Sequence, residues 1–227
     1  MISHEHKCIF IHIPKCAGTS VERALGHLDN HTGRWGQDHR TMAEIEGSIT
    51  MPWAQPFKIH SEKILNLLHL RRMPKSNQKN RLVVTRGQYE NYFKFTFVRN
   101  PWARAYSWYQ NIMRDEMKKK KLNISGNPSL TDFLRSQVGK DALRSQTHWL
   151  KCADGSIKMD FIGKFENLNR DFQQACKMMG LHHIELPHEI KGAGVSYLKF
   201  YDKESADLIA NAYKEEIEMF GYSFEGN

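Results

Sequence analysis

No apolar run in this 227-residue chain is longer than four residues, Cys8 to Ile11. A membrane-spanning helix needs about 20 such residues and the core of a secretory signal about 7–15, so neither is expected in it. Cysteine is scarce and scattered: Cys8, Cys16, Cys152 and Cys176 form no C-x-x-C pair. That spacing argues against a disulfide framework or a zinc site and fits free thiols in a reducing compartment. Acidic residues are outnumbered, 25 Asp and Glu against 33 Lys and Arg, for a net charge of +8. The surplus favours an anionic partner without naming it. Internal repeats and low-complexity tracts are absent. What is present is enough for a core: 40% hydrophobic and 11% aromatic residues exclude disorder for the bulk of the chain, despite a mean hydropathy of −0.62. The length fits one domain, residues 1–227.

The first regular element is Lys7 to Ile13, short, β-branched and apolar, the pattern of a parallel strand covered on both faces. Pro14 stops it. A small-residue loop follows through Ser20, and Val21 to Leu25 opens a helix ending near Gly26. A second unit of this kind begins at Phe93 to Val98, a strand that stops at Arg99. Asn100 as N-cap and Pro101 as first helical residue start a helix expected to run from Trp102 to about Met117, ahead of a solvated end at Lys118 to Lys121. Ser129-Leu130-Thr131-Asp132 resembles a capping box for a helix through Val138. Met159 to Phe161 reads as a strand. A helix with Phe165, Leu168, Phe172, Cys176 and Met179 on one face follows it, closed by Gly180. A last helix behind Asp202 carries Ala206, Ile209, Tyr213, Ile217 and Phe220 up to Gly221. Between Ser48 and Asn91 the pattern is weaker: a helix over Ser61 to Arg71, a polar loop, and a strand at Leu82 to Thr85. Strands alternating with helices give an α/β fold, a three-layer sandwich around a central parallel sheet with a P-loop-like strand–loop–helix.

The chemistry gathers at two strand ends, where open α/β sheets place their ligands. Ala17 and Gly18 lack bulk, so backbone N–H groups can approach an anion. Thr19 and Ser20 add hydroxyls, and Lys15 adds a mobile charge. This is not a Walker A loop, whose lysine follows the second glycine; here the lysine precedes Gly18 by three residues. The bland alternative is a corner with an incidental lysine. At the second strand end stand Arg99, whose guanidinium can grip an oxyanion twice, and Ser107 two helical turns on; Arg104 adds charge. An arginine paired with a carboxylate is the alternative there. Two such sites in one chain point to a ligand with two separated anionic groups.

Ile9 to Ser20, I-F-I-H-I-P-K-C-A-G-T-S, resembles the 5′-phosphosulfate loop of the sulfotransferase superfamily. Phe93 to Tyr109, F-K-F-T-F-V-R-N-P-W-A-R-A-Y-S-W-Y, resembles its 3′-phosphate segment. Asp160 to Leu168 and the closing F-Y-D…M-F-G-Y segment are similar to the carbohydrate branch, the heparan sulfate 2-O-sulfotransferase-like enzymes and their bacterial relatives. Residues around 53–90 look like an insertion. The resemblance implies sulfuryl transfer from 3′-phosphoadenosine 5′-phosphosulfate (PAPS) to an acceptor hydroxyl, with a saccharide as acceptor and neither a metal nor a nucleic-acid partner. It places Lys15, Cys16, Ala17, Gly18, Thr19 and Ser20 on the 5′ side and Arg99 and Ser107 on the 3′-phosphate. Cys16 stands where threonine is common. Lys15 is implied to stabilise the leaving phosphate. A histidine suits the general base; His39 is the first choice, His60 the second, His12 the third. Trp35, Trp53 or Trp149 are candidates to stack on a sugar, and Arg71, Arg72 and Lys118 to Lys121 to attract an acidic one. A cytoplasmic location is expected, with a trimmed luminal domain as the alternative. The competing readings are a kinase-like P-loop phosphotransferase and a non-catalytic polyanion-binding module.

Overall fold

The run Cys8–Ile11 is buried at every position because sheet neighbours and helices cover both its faces. In the computed structural model, which describes residues 1–31, 36–50, 77–187 and 196–225, it is the second strand of a four-stranded sheet in the order β1 (Ile2–Ser3), β2 (Cys8–Ile11), β3 (Phe93–Val98), β4 (Phe161–Lys164). β2 pairs parallel with β3, Phe10 opposite Phe95, and β3 pairs parallel with β4, Thr96 opposite Ile162. The fold is α/β around a mostly parallel sheet, as expected. The exception is β1, which folds back antiparallel on β2 after a turn at Lys7 (φ 47°). Parallel neighbours start and finish together, so the loops after β2 and β3 leave the same sheet edge side by side.

Helix α1 (Gly18–Ala24) follows β2, and α2 (Met42–Thr50) is the next helix along the chain. α3 (Arg86–Asn91) precedes β3, and α4 (Pro101–Met113) follows it with Asn100 as N-cap, its side chain accepting from the Trp102 and Ala103 N–H groups. Later elements are α5 (Glu116–Lys121), α6 (Leu130–Gln137), α7 (Gln146–Leu150), α8 (Leu168–Met178), α9 (Lys203–Ala212) and α10 (Lys214–Phe220). Two apolar clusters result. One surrounds the sheet, with Phe10, Phe95, Phe97 and Phe172 at its centre. The other joins α4, α6 and α9 through Trp102, Phe133, Leu134, Ile209 and Tyr213.

Five expectations are corrected. Leu82 to Thr85 is not a strand: Thr85 caps α3 in a reciprocal capping box with Gln88, and that local pairing takes the backbone groups a sheet would need. The helix from Pro101 stops at Met113, because Asp115 turns its side chain onto the Met117 and Lys118 N–H groups and begins α5. Within α5 Lys119 is buried, its ammonium donating to the Gly126 carbonyl (3.2 Å) and to Asn127 Oδ1 (3.0 Å), so it belongs to the fold rather than to a solvated end. The last helix divides at Tyr213, a buried residue whose hydroxyl donates to the Leu143 carbonyl. The third parallel strand also lies later than its expected place, at Phe161–Lys164. The helix expected over Ser61 to Arg71 and residues 53–76 of the expected insertion lie outside the described residues.

Candidate active site

Past Pro14 the chain takes a conformation that L-residues rarely adopt: Lys15 has φ 70° and Ala17 φ 62°, both left-handed. Alternating left- and right-handed residues curl successive N–H groups toward a common point, the arrangement that binds anions. The bonding pattern shows which groups remain available. The Cys16 N–H donates to the Ile13 carbonyl (3.3 Å), and those of Ser20 and Val21 to the Ala17 carbonyl (3.0 and 3.3 Å). The N–H groups of Lys15, Ala17, Gly18 and Thr19 have no partner among the described residues. The Lys15 ammonium also lacks a hydrogen bond or ion pair among them, and the Thr19 and Ser20 side chains are half-buried. Burial, then the charges of Arg99, Lys118 and Arg114, depress Lys15 to about 8.

Arg99 closes this region from the β3 side. Its Nη1 donates to the Lys15 carbonyl at 3.1 Å, so the two motifs share a wall. Its guanidinium lies 4.0 Å from the Phe165 ring centroid, and its buried Nε has no partner among the described residues. Burial pushes its acidity in the same direction as that of Lys15, against the charged form. Ser107 is half-buried on α4 and points to no hydrogen-bond partner among the described residues.

Behind both motifs lies a polar anchor that carries no motif in the sequence. Gln146, fully buried, accepts at Oε1 from the Arg99 N–H (2.8 Å) and the Cys16 thiol (3.4 Å), and donates from Nε2 to the Arg99 carbonyl (2.9 Å). Glu216, also fully buried, receives the Gln146 side chain (2.9 Å), the Gln146 N–H and the Ser145 hydroxyl (2.6 Å). Glu166 performs the same service one residue on, accepting from the Asn100 N–H (2.8 Å) and the Tyr222 hydroxyl (3.1 Å). Cys16 thus backs the loop instead of lining it: burial holds its thiol up at about 12, protonated and donating to Gln146. Arg104 also differs from expectation. It is buried, and its guanidinium is occupied by the carbonyls of Pro14 (3.1 Å), Ala142 and Arg144 (3.0 Å), so it positions the loop entrance.

His39 reaches the β2 end from the chain before α2. Its Nδ1 lies 3.1 Å from the His12 carbonyl, its ring centroid 4.2 Å from that of His12 and 6.3 Å from that of Trp149. A carbonyl can only accept, so Nδ1 carries the proton and Nε2 keeps its lone pair. The imidazole retains solvent access, yet desolvation by the surrounding protein, then His12, depresses it to about 4 and keeps it neutral. His12 is buried just beyond the end of β2, and desolvation lowers it to about 3. Trp149 is half-buried, with an indole Nε1 that lacks a partner among the described residues. His60, Trp35, Trp53, Arg71 and Arg72 lie outside those residues. The sequence reading missed Gln146 and Glu216. Glu216 stands in K-E-E-I-E, which looks like a solvated helix face, and no local signal distinguishes it from its neighbours.

A curled loop with uncommitted N–H groups, a neighbouring arginine and a neutral histidine thus meet at the ends of two parallel strands of an α/β fold. The family model of the sulfotransferase family matches residues 1–223, and the chain belongs to that family. Among curated proteins it is similar to carbohydrate sulfotransferase 14 of Danio rerio, 27% identical over 82% of this chain and 50% of the relative. The human carbohydrate sulfotransferase 14 is 23% identical over 82% of this chain and 48% of the relative. Carbohydrate sulfotransferase 11 of Rattus norvegicus is 22% identical over 98% of this chain and 66% of the relative. The chain spans about half the length of the carbohydrate sulfotransferase 14 relatives. No solved structure matches it.

Proposed function

We propose that this protein transfers a sulfuryl group from PAPS to a hydroxyl of a saccharide. One observation carries the reading: the curled loop with uncommitted N–H groups and the free Lys15 ammonium is in direct contact with Arg99, whose Nε is buried and unpartnered. Such a wall fits a ligand with anionic groups at two ends. The donor supplies an activated sulfuryl group whose departure leaves charge on its 5′-phosphate. Lys15 neutralises that charge, and the N–H groups of Ala17, Gly18 and Thr19, with the Thr19 and Ser20 hydroxyls, hold the same oxygens. Arg99 offers Nε and Nη2, with the Ser107 hydroxyl, to the 3′-phosphate. This separates the donor from ordinary adenine nucleotides.

His39 takes the acceptor proton at Nε2, the nitrogen left open by its bond to the His12 carbonyl. Its lowered proton affinity keeps it unprotonated, and a bound polyanion nearby raises that affinity when proton transfer is needed. Trp149, beside His39, offers a face for the sugar ring. The carbohydrate acceptor follows from the relatives' names and from this aromatic neighbour. The test is thermal unfolding with 3′-phosphoadenosine 5′-phosphate (PAP), the desulfated donor, in the presence of a chelator. At 100 times Kd, stabilisation of about 2.7 kcal/mol is expected. Stabilisation by ATP that requires magnesium, with none by PAP, overturns the reading in favour of a kinase-like enzyme. Salt-sensitive binding of long polyanions without PAP binding favours the binding module.

A further inference from the structure

Glu22 is fully buried in α1, on the turn directly after the anion loop. A buried carboxylate costs several kcal/mol unless its oxygens are satisfied, yet Oε2 has no partner among the described residues. Oε1 makes the contacts that matter. It accepts the Asp38 N–H at 3.0 Å, the peptide immediately before His39. It also lies 3.1 Å from His12 Nδ1, off the line of a hydrogen bond. His12 in turn presents its backbone carbonyl to His39 Nδ1. One oxygen therefore touches both supports of the His39 ring: the main chain that carries it and the residue that fixes its tautomer. Gly18 completes the block. A Cβ there would fall 2.1 Å from His12 Cδ2, so only glycine lets the anion loop close over the His12 ring.

We propose that Glu22 is the positioning residue of the general base, tying the orientation and tautomer of His39 to the anion loop through Asp38 and His12. This rests on the reading of His39 as the base. Glu22 is faced by the Met1 ammonium from β1, by His12 beyond β2, by His27 at the end of α1, and by Asp38 and His39 from the segment before α2. Asp38 is itself held by Arg40 (2.6 Å) and lies 3.5 Å from the Met1 ammonium, so its carboxylate is already committed. Among the described residues that face it, Glu22 is the acidic group left to act on the histidines.

The experiment reads the imidazole nitrogens directly, by long-range proton–nitrogen correlation NMR on the whole chain. At pH 7 the wild type should show His39 protonated at Nδ1 and bare at Nε2. In Glu22→Gln the same signals should move toward a mixture of tautomers, and the His39 titration midpoint should shift, while thermal stabilisation by PAP stays within error of wild type. Glu22→Asp serves as the second variant should Glu22→Gln not fold, and should show the same change because its shorter arm cannot reach both partners. Turnover is measured with PAPS and a panel of desulfated polysaccharides. Glu22→Gln should lower kcat at least tenfold with less than a twofold change in the donor KM, and Glu22→Gln/His39→Ala should be no slower than His39→Ala. A wild-type His39 protonated at Nε2 overturns this proposal together with the assignment of Nε2 as the proton acceptor, whereas His39 signals unchanged in both Glu22 variants while His39→Ala is inactive overturn this proposal alone. Losses that multiply in the double variant do the same. Wild-type turnover in His39→Ala overturns the base reading, a result that the tautomer spectra neither cause nor conceal.

Discussion

In the proposed function the two strand ends hold an anion by different means. At the β2 end the ligand groups are main-chain N–H donors, exposed by the left-handed Lys15 and Ala17. At the β3 end the proposed ligand groups are side chains, Arg99 with the Ser107 hydroxyl, and the Arg99 backbone is held at N–H and carbonyl by Gln146. A backbone site tolerates exchange of the side chains that back it. A side-chain site depends on those residues and on everything that holds them still. Neither end contributes the proposed proton acceptor, His39, which arrives on a separate segment.

The sharpest break is therefore His39→Ala. Turnover should fall about 10²-fold or more while PAP still binds, measured by sulfate transfer and by thermal shift; equal turnover would move the base to His60. Next comes Arg99→Ala. Loss of charged hydrogen bonds worth about 1.5–3 kcal/mol should weaken PAP roughly 10- to 100-fold, with far less change for AMP. Calorimetry showing equal losses would mean that Arg99 does not read the 3′-phosphate. The β2 end is tested by pH. Lys15 sits at about 8 in the free protein, so its ammonium is present below that pH and lost above it. Because the anion binds the charged form, the Kd for PAP should be flat below pH 8 and rise about tenfold per unit above it. Lys15→Met should bind weakly without that rise. The smallest effect is expected for Cys16→Thr, whose side chain only backs the loop. PAP affinity should change by less than about 1 kcal/mol, and a larger loss would show that the backbone site depends on its backing after all.

Legibility followed the range of the interactions. The β2 loop was readable because strand, proline, small residues and helix start are neighbours in the chain, and Asn100 with Pro101 marked α4 for the same reason. Leu82 to Thr85 was misread because its β-branched residues obey strand propensity while Thr85 and Gln88 bond locally. The break at Tyr213 was hidden because the apolar spacing continues through it. Gln146 is 47 residues from Arg99 and 130 from Cys16, and no spacing rule spans such gaps.

By itself the sequence determined the alternation of strands and helices, the two anion motifs and their order, because propensity, capping and turn chemistry act over a few residues. Only the tertiary structure decided that Arg99 meets the Lys15 loop, that Cys16 and Arg104 support the site from behind, and that Glu22 and His12 lie beneath His39. Those are contacts between distant segments, and burial sets them: a polar group taken from water must find whichever partner the packed sheet and helices bring within reach.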